Sequence, residues 1–261
     1  MPIMTFTTDF GHRDGYVACM HGVALGIAPD ARLVDVSHAI EPQNVLHGAY
    51  VLAQVLPWFP PASVHVVVVD PGVGTARRVL AVRAAGQLIV APDNGLLSLV
   101  HHHRWVEAVH VVENPALILP RVSKTFHGRD VMTPVGAHLV RGFPLAQVGP
   151  ATDHMEILQL AHPRHDEDGA CHGTVVHRDR FGNLVSNISD QDIARVNRRR
   201  PDARVRLADR DIGPVRTTYG EVSAGQPLAL VGSTGMLEIA INQGSAASQL
   251  APPRDVAVIY G

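Results

Sequence analysis

Four apolar stretches of this chain end in polar clusters: Thr-Thr-Asp-Phe-Gly at 7–11, Val-Val-Asp-Pro-Gly-Val-Gly-Thr at 68–75, Pro-Asp-Asn-Gly at 92–95 and Thr-Phe-His-Gly-Arg-Asp at 125–130. Ser63 to Val69, which leads into the second cluster, lacks the alternation of a half-exposed strand. It reads as a strand buried on both faces, the pattern of a parallel sheet covered by helices. Side chains at the carboxyl ends of parallel strands converge on one crevice, so Asp9, Asp70 and Asp93 are expected to meet His127 there.

The rest of the chain is consistent with that frame. Residues 3 to 8 and 32 to 36 carry strand signals. Tyr16, Met20, Val23 and Ile27 fall at helical spacing, and Asn44 can cap a helix whose Val45, Ala49, Leu52 and Leu56 share a face. Leu80–Arg83 and Leu88–Ala91, joined through Ala84-Ala85-Gly86, predict a hairpin added to the sheet. A helix from Asn94, a strand over Trp105 to Val112 and a helix over Val131 to Val140, ended by Gly142, complete an α/β N-terminal domain with a largely parallel sheet over residues 1–162. Residues 163–170, polar and aperiodic, read as a linker. Short runs at Gly173–His177, Arg204–Leu207, Pro227–Val231, Leu237–Ile241 and Val256–Ile259 predict a smaller all-β, barrel-like C-terminal domain over 171–261.

Composition narrows the functional classes. With 261 residues, a formal net charge of -2 and no basic run longer than Arg198-Arg199-Arg200, the chain lacks the footprint of a nucleic-acid binder. Apolar runs fall short of the roughly 20 residues needed to span a bilayer, so no membrane partner is expected. Two cysteines, Cys19 and Cys171, and a start without a signal-like segment point to a soluble cytoplasmic protein.

Several residues have chemical and structural readings side by side. Asp70-Pro71-Gly72 is a turn initiator, but at a sheet's carboxyl edge Asp70 becomes a candidate site carboxylate. Gly72-Val73-Gly74 begins like a dinucleotide fingerprint, yet Arg77 stands in place of the third glycine and no Lys-Ser/Thr follows, which removes a phosphate cradle. Arg77 or Arg78 can instead hold Asp70 ionised. His127 lies between Phe126, an aromatic wall, and Gly128, which permits close approach; it is the best placed base near neutral pH. Asp9 with Asp14, and Asp179 with Asn183, suit a ribose diol or an amino-acid head group, and each can equally cap a turn. Consecutive His101-His102-His103 on a helix point apart and do not chelate together. A binuclear metallophosphoesterase is a second enzyme class, although the Asp-x-His and Gly-Asn-His spacings are missing. No metal or other cofactor is expected.

Taken in order, Thr8-Asp9-Phe10-Gly11, Asp35-Val36-Ser37-His38, Val69 to Thr75, Pro92 to Gly95, Thr125 to Asp130, Asp179 to Asn183 and Leu237-Glu238-Ile239-Ala240 resemble the S-adenosyl-L-methionine hydrolases that form adenosine. These are relatives of the fluorinating and chlorinating adenosyl-halide synthases. The resemblance runs nearly end to end. It implies hydrolysis of S-adenosyl-L-methionine to adenosine and L-methionine, and a homotrimer whose sites lie between the first domain of one subunit and the second domain of its neighbour. It implies Asp70, Arg77 and His127 acting on water, with Asp9 at the ribose. Asn183, Asp179 and Ser233 would hold the methionine part, while Phe181 and the stretch from Asn242 to Ala247 would hold adenine. Asp14, Phe126 and Glu238 join these as substrate-binding residues. Halogenating relatives typically carry Tyr-Ser where this chain has His127-Gly128, so water is the expected nucleophile; Tyr16 stands where they often have serine. His127 is the expected base, with Asp70 as the open alternative. A trimer that binds adenosine or S-adenosylmethionine without turnover is the non-enzymatic alternative.

Overall fold

The computed structural model describes residues 2–250 and 257–260. The chain divides into two compact units, Met1–Leu158 and Gln159–Gly261.

In the first unit, β1 (Ile3–Thr8), β2 (Arg32–Ser37), β3 (Val64–Val68), β4 (Val79–Ala84), β5 (Gln87–Pro92) and β6 (Val106–Val111) form one sheet in the order β2-β1-β3-β5-β4-β6. The pairs β1–β2, β1–β3 and β3–β5 are parallel, whereas β4–β5 and β4–β6 are antiparallel. The sheet is therefore mixed, because the hairpin adds antiparallel pairings at one side. That hairpin turns through Ala85 (φ 49) and Gly86 (φ 73), the two left-handed residues that match strand twist.

Strand β3 shows why the sheet is covered on both faces. Val64, Val66 and Val68 join the core under α1 (Tyr16–Ile27) and α4 (Thr133–Val140), while Val67 and Val69 join the opposite core under α2 (Val45–Val55) and α3 (Ser98–His102). Each such valine contributes about 1.5–3 kcal/mol of burial. His65 is tolerated in the strand because Thr5 Oγ1 at 2.8 Å and Gln87 Oε1 at 2.7 Å satisfy both ring nitrogens. Asn44 caps α2 as expected, accepting from the His47 amide. The buried face of α1 is Val17, Met20 and Ala24, leaving Tyr16 49% exposed, contrary to the expected Tyr16–Met20 stripe. The helix expected from Asn94 begins only at Ser98, after Asn94 and Gly95 form turns. The helix expected from Val131 is preceded by a π-helical turn, Gly128–Met132.

Because α1 and α2 pack on opposite faces and β2 and β3 lie on opposite sides of β1, the connections diverge between β1 and β3. Such a switch point opens a crevice at the carboxyl ends of the two strands. Asp9 follows β1 and Asp70 follows Val69 after β3, one on each side of it.

The second unit is sheet-rich. Its strands are β7 (Arg164–His165), β8 (Cys171–Arg178), β9 (Leu184–Ser189), β10 (Val205–Leu207), β11 (Arg210–Gly213), β12 (Val215–Arg216), β13 (Pro227–Val231), β14 (Met236–Ile241) and β15 (Ala257–Tyr260). They follow the order β11-β10-β15-β8-β9-β14-β13-β12, with β7 on β8. Residues 163–170, read from sequence as a linker, contain β7 and its turn onto β8, so polar composition there marks a hairpin. The unit is also not all-β. Ser189 and Asp192 form a reciprocal capping box that starts α5 (Asp190–Asn197), and a short helix α6 (Ala246–Gln249) follows β14. Val256, the first residue of the last predicted strand, lies outside the described residues. Among the described residues no helix is long and apolar enough to cross a membrane.

Candidate active site

The loop after β3 is built to place a cation on a carboxylate. Asp70 accepts the Val73 amide through its carbonyl, Thr75 turns back onto Gly72, and the chain re-enters the sheet at Val79. Gly74 sits at φ +78, and a Cβ there would lie 2.3 Å from the Lys124 carbonyl oxygen. Glycine thus lets this loop lie directly against the segment that carries His127.

Within that contact Arg77 forks onto Asp70. Its Nε donates to Oδ1 at 2.9 Å and a terminal nitrogen donates to Oδ2. The same terminal nitrogen donates to His127 Nδ1 at 2.9 Å. The Asp70 and Arg77 side chains are 5% and 9% exposed, so the pair is shielded from solvent. A guanidinium only donates, hence Nδ1 of His127 is an acceptor and the neutral ring carries its proton on Nε2. Burial, then the Arg77 cation, pushes the His127 pKa below its ordinary value, against the opposing pull of Asp70, Asp130 and a hydrogen bond to the Ser123 backbone. Both effects favour the neutral ring, with Nδ1 turned to Arg77.

The backbone around His127 is fixed from below. Buried Asp130 accepts from the Ser123 amide at 2.8 Å and from Arg129 Nε at 2.6 Å, and Ser123 Oγ accepts from the Phe126 amide. Burial raises the Asp130 pKa, but Arg129 and Ser123 outweigh it and hold the carboxyl below its usual range. Gly128 approaches β3 closely, with its Cβ position 3.2 Å from Val68. The π-turn at this point is the kind of irregularity often found at functional sites.

Beside His127, Phe126 meets Phe10 and Tyr16 edge-on, with centroids 5.7 and 5.2 Å away, and Arg129 lies 4.8 Å over its ring. Phe10, Tyr16, Ser123, Thr125, Phe126 and Arg129 bound a hollow of about 350 Å³. Sequence reasoning missed Phe10 and Arg129 as walls; the aromatic neighbours could have been found only by knowing that α1 starts beside the π-turn.

The four expected members of the crevice do not all meet. Asp93 accepts from Arg78 Nε at 2.8 Å and from the Glu156 amide at 2.7 Å, which makes it an anchor for the 152–158 segment instead of a partner of His127. The two adjacent arginines are thus divided, Arg77 to Asp70 and Arg78 to Asp93. Asp9 accepts from the Gln43 amide at 2.8 Å. Each of these carboxylates is claimed by a donor, so they do not converge as a binuclear metal cage. Asp14 is exposed.

In the second unit Asp179 organises a tight loop, accepting from the amides of Phe181 and Asn183 and from Asn183 Nδ2 at 2.8 Å. Gly182 (φ +84) brings that loop against Ser245, and its carbonyl accepts from Ala247. Phe181 is left 77% exposed. Glu238 is buried, with Tyr219 OH 3.3 Å away. Burial, then the Asp179 charge, raises its pKa. Ser233, exposed, lies in the turn beside Gly232, which packs directly on Glu238. Asn242 directs its amide to the Val222 carbonyl at 2.8 Å and so braces the turn before β13.

An α/β unit with an Asp-Arg-His constellation at its switch point and a sheet-rich unit with an Asp-Asn loop define a two-domain protein. Residues 4–149 match the SAM hydroxide adenosyltransferase N-terminal domain and residues 173–255 match the corresponding C-terminal domain. The chain belongs to the SAM hydroxide adenosyltransferase family. It is 42% identical to an (R)-S-adenosyl-L-methionine hydrolase of Salinispora arenicola over 96% of this chain and 94% of that one. It is 31% identical to a fluorinase of an Actinoplanes species, over 92% and 91% of the two chains. A solved structure of an uncharacterized conserved protein from Thermotoga maritima superposes with a TM-score of 0.91 at 35% identity, covering 98% and 99% of the chains.

Proposed function

We propose that this protein hydrolyses S-adenosyl-L-methionine to adenosine and L-methionine, taking the (R)-sulfonium epimer named for its hydrolase relatives. The observation that carries the reading is the Arg77 fork, which ties Asp70 and His127 into one polar centre in a chain of this family. Water attacks the 5′ carbon as the carbon–sulfur bond breaks in line, and the electron pair leaves with sulfur. Methionine departs as a neutral thioether and needs no acid. The proton lost by water passes to Asp70, whose carboxylate has acceptor sites beyond the two taken by Arg77. Arg77, held between Asp70 and His127, orients the water; near-attack positioning of this kind is worth up to about 7–11 kcal/mol.

Asp9 holds the ribose hydroxyls and the Phe10–Tyr16–Phe126 hollow shields the reacting carbon. Asp179 and Asn183 take the methionine head group, with Ser233, and exposed Phe181 stacks on adenine beside the 242–247 stretch. Pairing the first unit of one subunit with the second of its neighbour in a homotrimer would cover Phe181, which a solitary subunit leaves open to water. The second unit is read as barrel-like, supported by register shifts in its β8–β9, β9–β14 and β10–β11 ladders, since bulges bend strands. A cytoplasmic setting fits the free thiols of Cys19 and Cys171.

Chromatography after incubation with each epimer separately tests the proposal. Adenosine and methionine are expected in equal amounts, faster from the (R) form, with no effect of a chelator. Absence of adenosine from both epimers would overturn the reading. Because His127 is held neutral, kcat/KM is expected to stay level through neutral pH and to fall only below the ordinary histidine range, where protonation at Nδ1 opposes Arg77. A rate already falling between pH 8 and 7 would contradict that assignment.

A further inference from the structure

Outside the active site, three side chains from separate elements bring nitrogen and oxygen ligands together. His21 on α1 places Nε2 2.8 Å from Asp35 Oδ1 on β2, and His38, just beyond β2, places Nε2 3.0 Å from the same oxygen. All three ligand atoms lie within 4.8 Å of one another. The His38 side chain is fully buried, and its Nε2 has no hydrogen-bond partner of good geometry, although buried polar atoms are nearly always satisfied. Its other nitrogen, Nδ1, is fixed at 2.8 Å by Thr8 Oγ1, and the ring of His21 rests 4.9 Å from Phe6. Rings oriented from behind in this way, with a nitrogen aimed at a shared point, are the arrangement found for metal-ligating histidines.

We propose that His21, Asp35 and His38 bind one divalent transition-metal ion of the zinc class. Two imidazole nitrogens and one carboxylate oxygen suit such an ion, with a fourth position open to water. Bonds of about 2.0–2.2 Å need ligand atoms roughly 3.3 Å apart, so each histidine nitrogen, at 2.8 and 3.0 Å from Asp35 Oδ1, has to move off that oxygen by only a few tenths of an ångström. The ion would clamp α1 to the end of β2, next to the Gly11–His38 backbone bond at 2.8 Å. The site shares no residue with Asp70, Arg77 and His127. A second grouping, His165, Cys171 and Asp192, lacks these features: Asp192 is committed to capping α5 through Ser189, and burial pushes the Cys171 thiol up to about 12.

Calorimetric titration of the tag-free, chelator-stripped full chain with zinc chloride tests this without reference to turnover. One saturable site per chain is expected, and Co²⁺ in its place should give tetrahedral absorption bands. His21→Ala and Asp35→Asn, both at partly exposed side chains, should each weaken zinc binding at least 100-fold, whereas His101→Ala should leave it unchanged. No saturable site, affinity unchanged in both variants, or loss in His101→Ala would overturn the proposal and reduce the trio to a hydrogen-bonded strut.

Discussion

Asp70→Asn is expected to lower kcat roughly 10²–10⁴-fold, the range associated with removing a positioned proton acceptor. The substitution keeps the shape of the side chain and one acceptor for Arg77, but removes the charge that receives the proton of the attacking water. His127→Asn is the informative companion. An Asn side-chain oxygen can accept from Arg77 where Nδ1 does, so this variant is expected to stay within about tenfold of the parent. Arg77 and Asp70 are both largely buried, and an unpaired buried charge costs roughly 3–5 kcal/mol, so thermal unfolding of each variant must accompany the rates. If His127→Asn falls as far as Asp70→Asn in a folded protein, His127 is the acceptor.

Gly74→Ala is expected to disable the site from a position that touches no reacting atom. A methyl carbon at 2.3 Å from the Lys124 carbonyl cannot be accommodated, and φ +78 adds about 1–2 kcal/mol of backbone strain. The 70–77 loop must then withdraw from the segment holding His127 and stretch the Arg77–His127 bond. Displacement by about 1 Å in an oriented site costs roughly 10²-fold, so kcat should drop by that order together with stability. Parental kcat in this variant would show that the loop contact does not position the catalytic groups.

The parts of the fold that could be read in advance were those written in a single element. Five consecutive buried residues of β3 announce a strand covered on two faces, and Asn44 announces its helix. The division of Arg77 and Arg78 between Asp70 and Asp93 was not legible, because neighbouring residues point to opposite sides and only the tertiary partners decide which meets which. Helix α5 was hidden because its cap, Ser189, is the last residue of a strand and its sequence is mostly polar. The hairpin of the mixed sheet was legible from its two runs and turn, but not that β6 would pair antiparallel with β4, since a list of strands does not give the order of neighbours. The position of His127 in its motif was visible, but its contact with Arg77, fifty residues away, was not. The His21–Asp35–His38 cluster needed α1 to be laid on β2 before it existed at all.

The most direct test of water attack at the sulfonium-bearing carbon is turnover of S-adenosylmethionine in ¹⁸O-labelled water, read by mass spectrometry of both products. One labelled oxygen is expected in adenosine, at the 5′ position, and none in methionine. Unlabelled adenosine, or label appearing in methionine, would contradict displacement by a water molecule aimed from Asp70, Arg77 and His127.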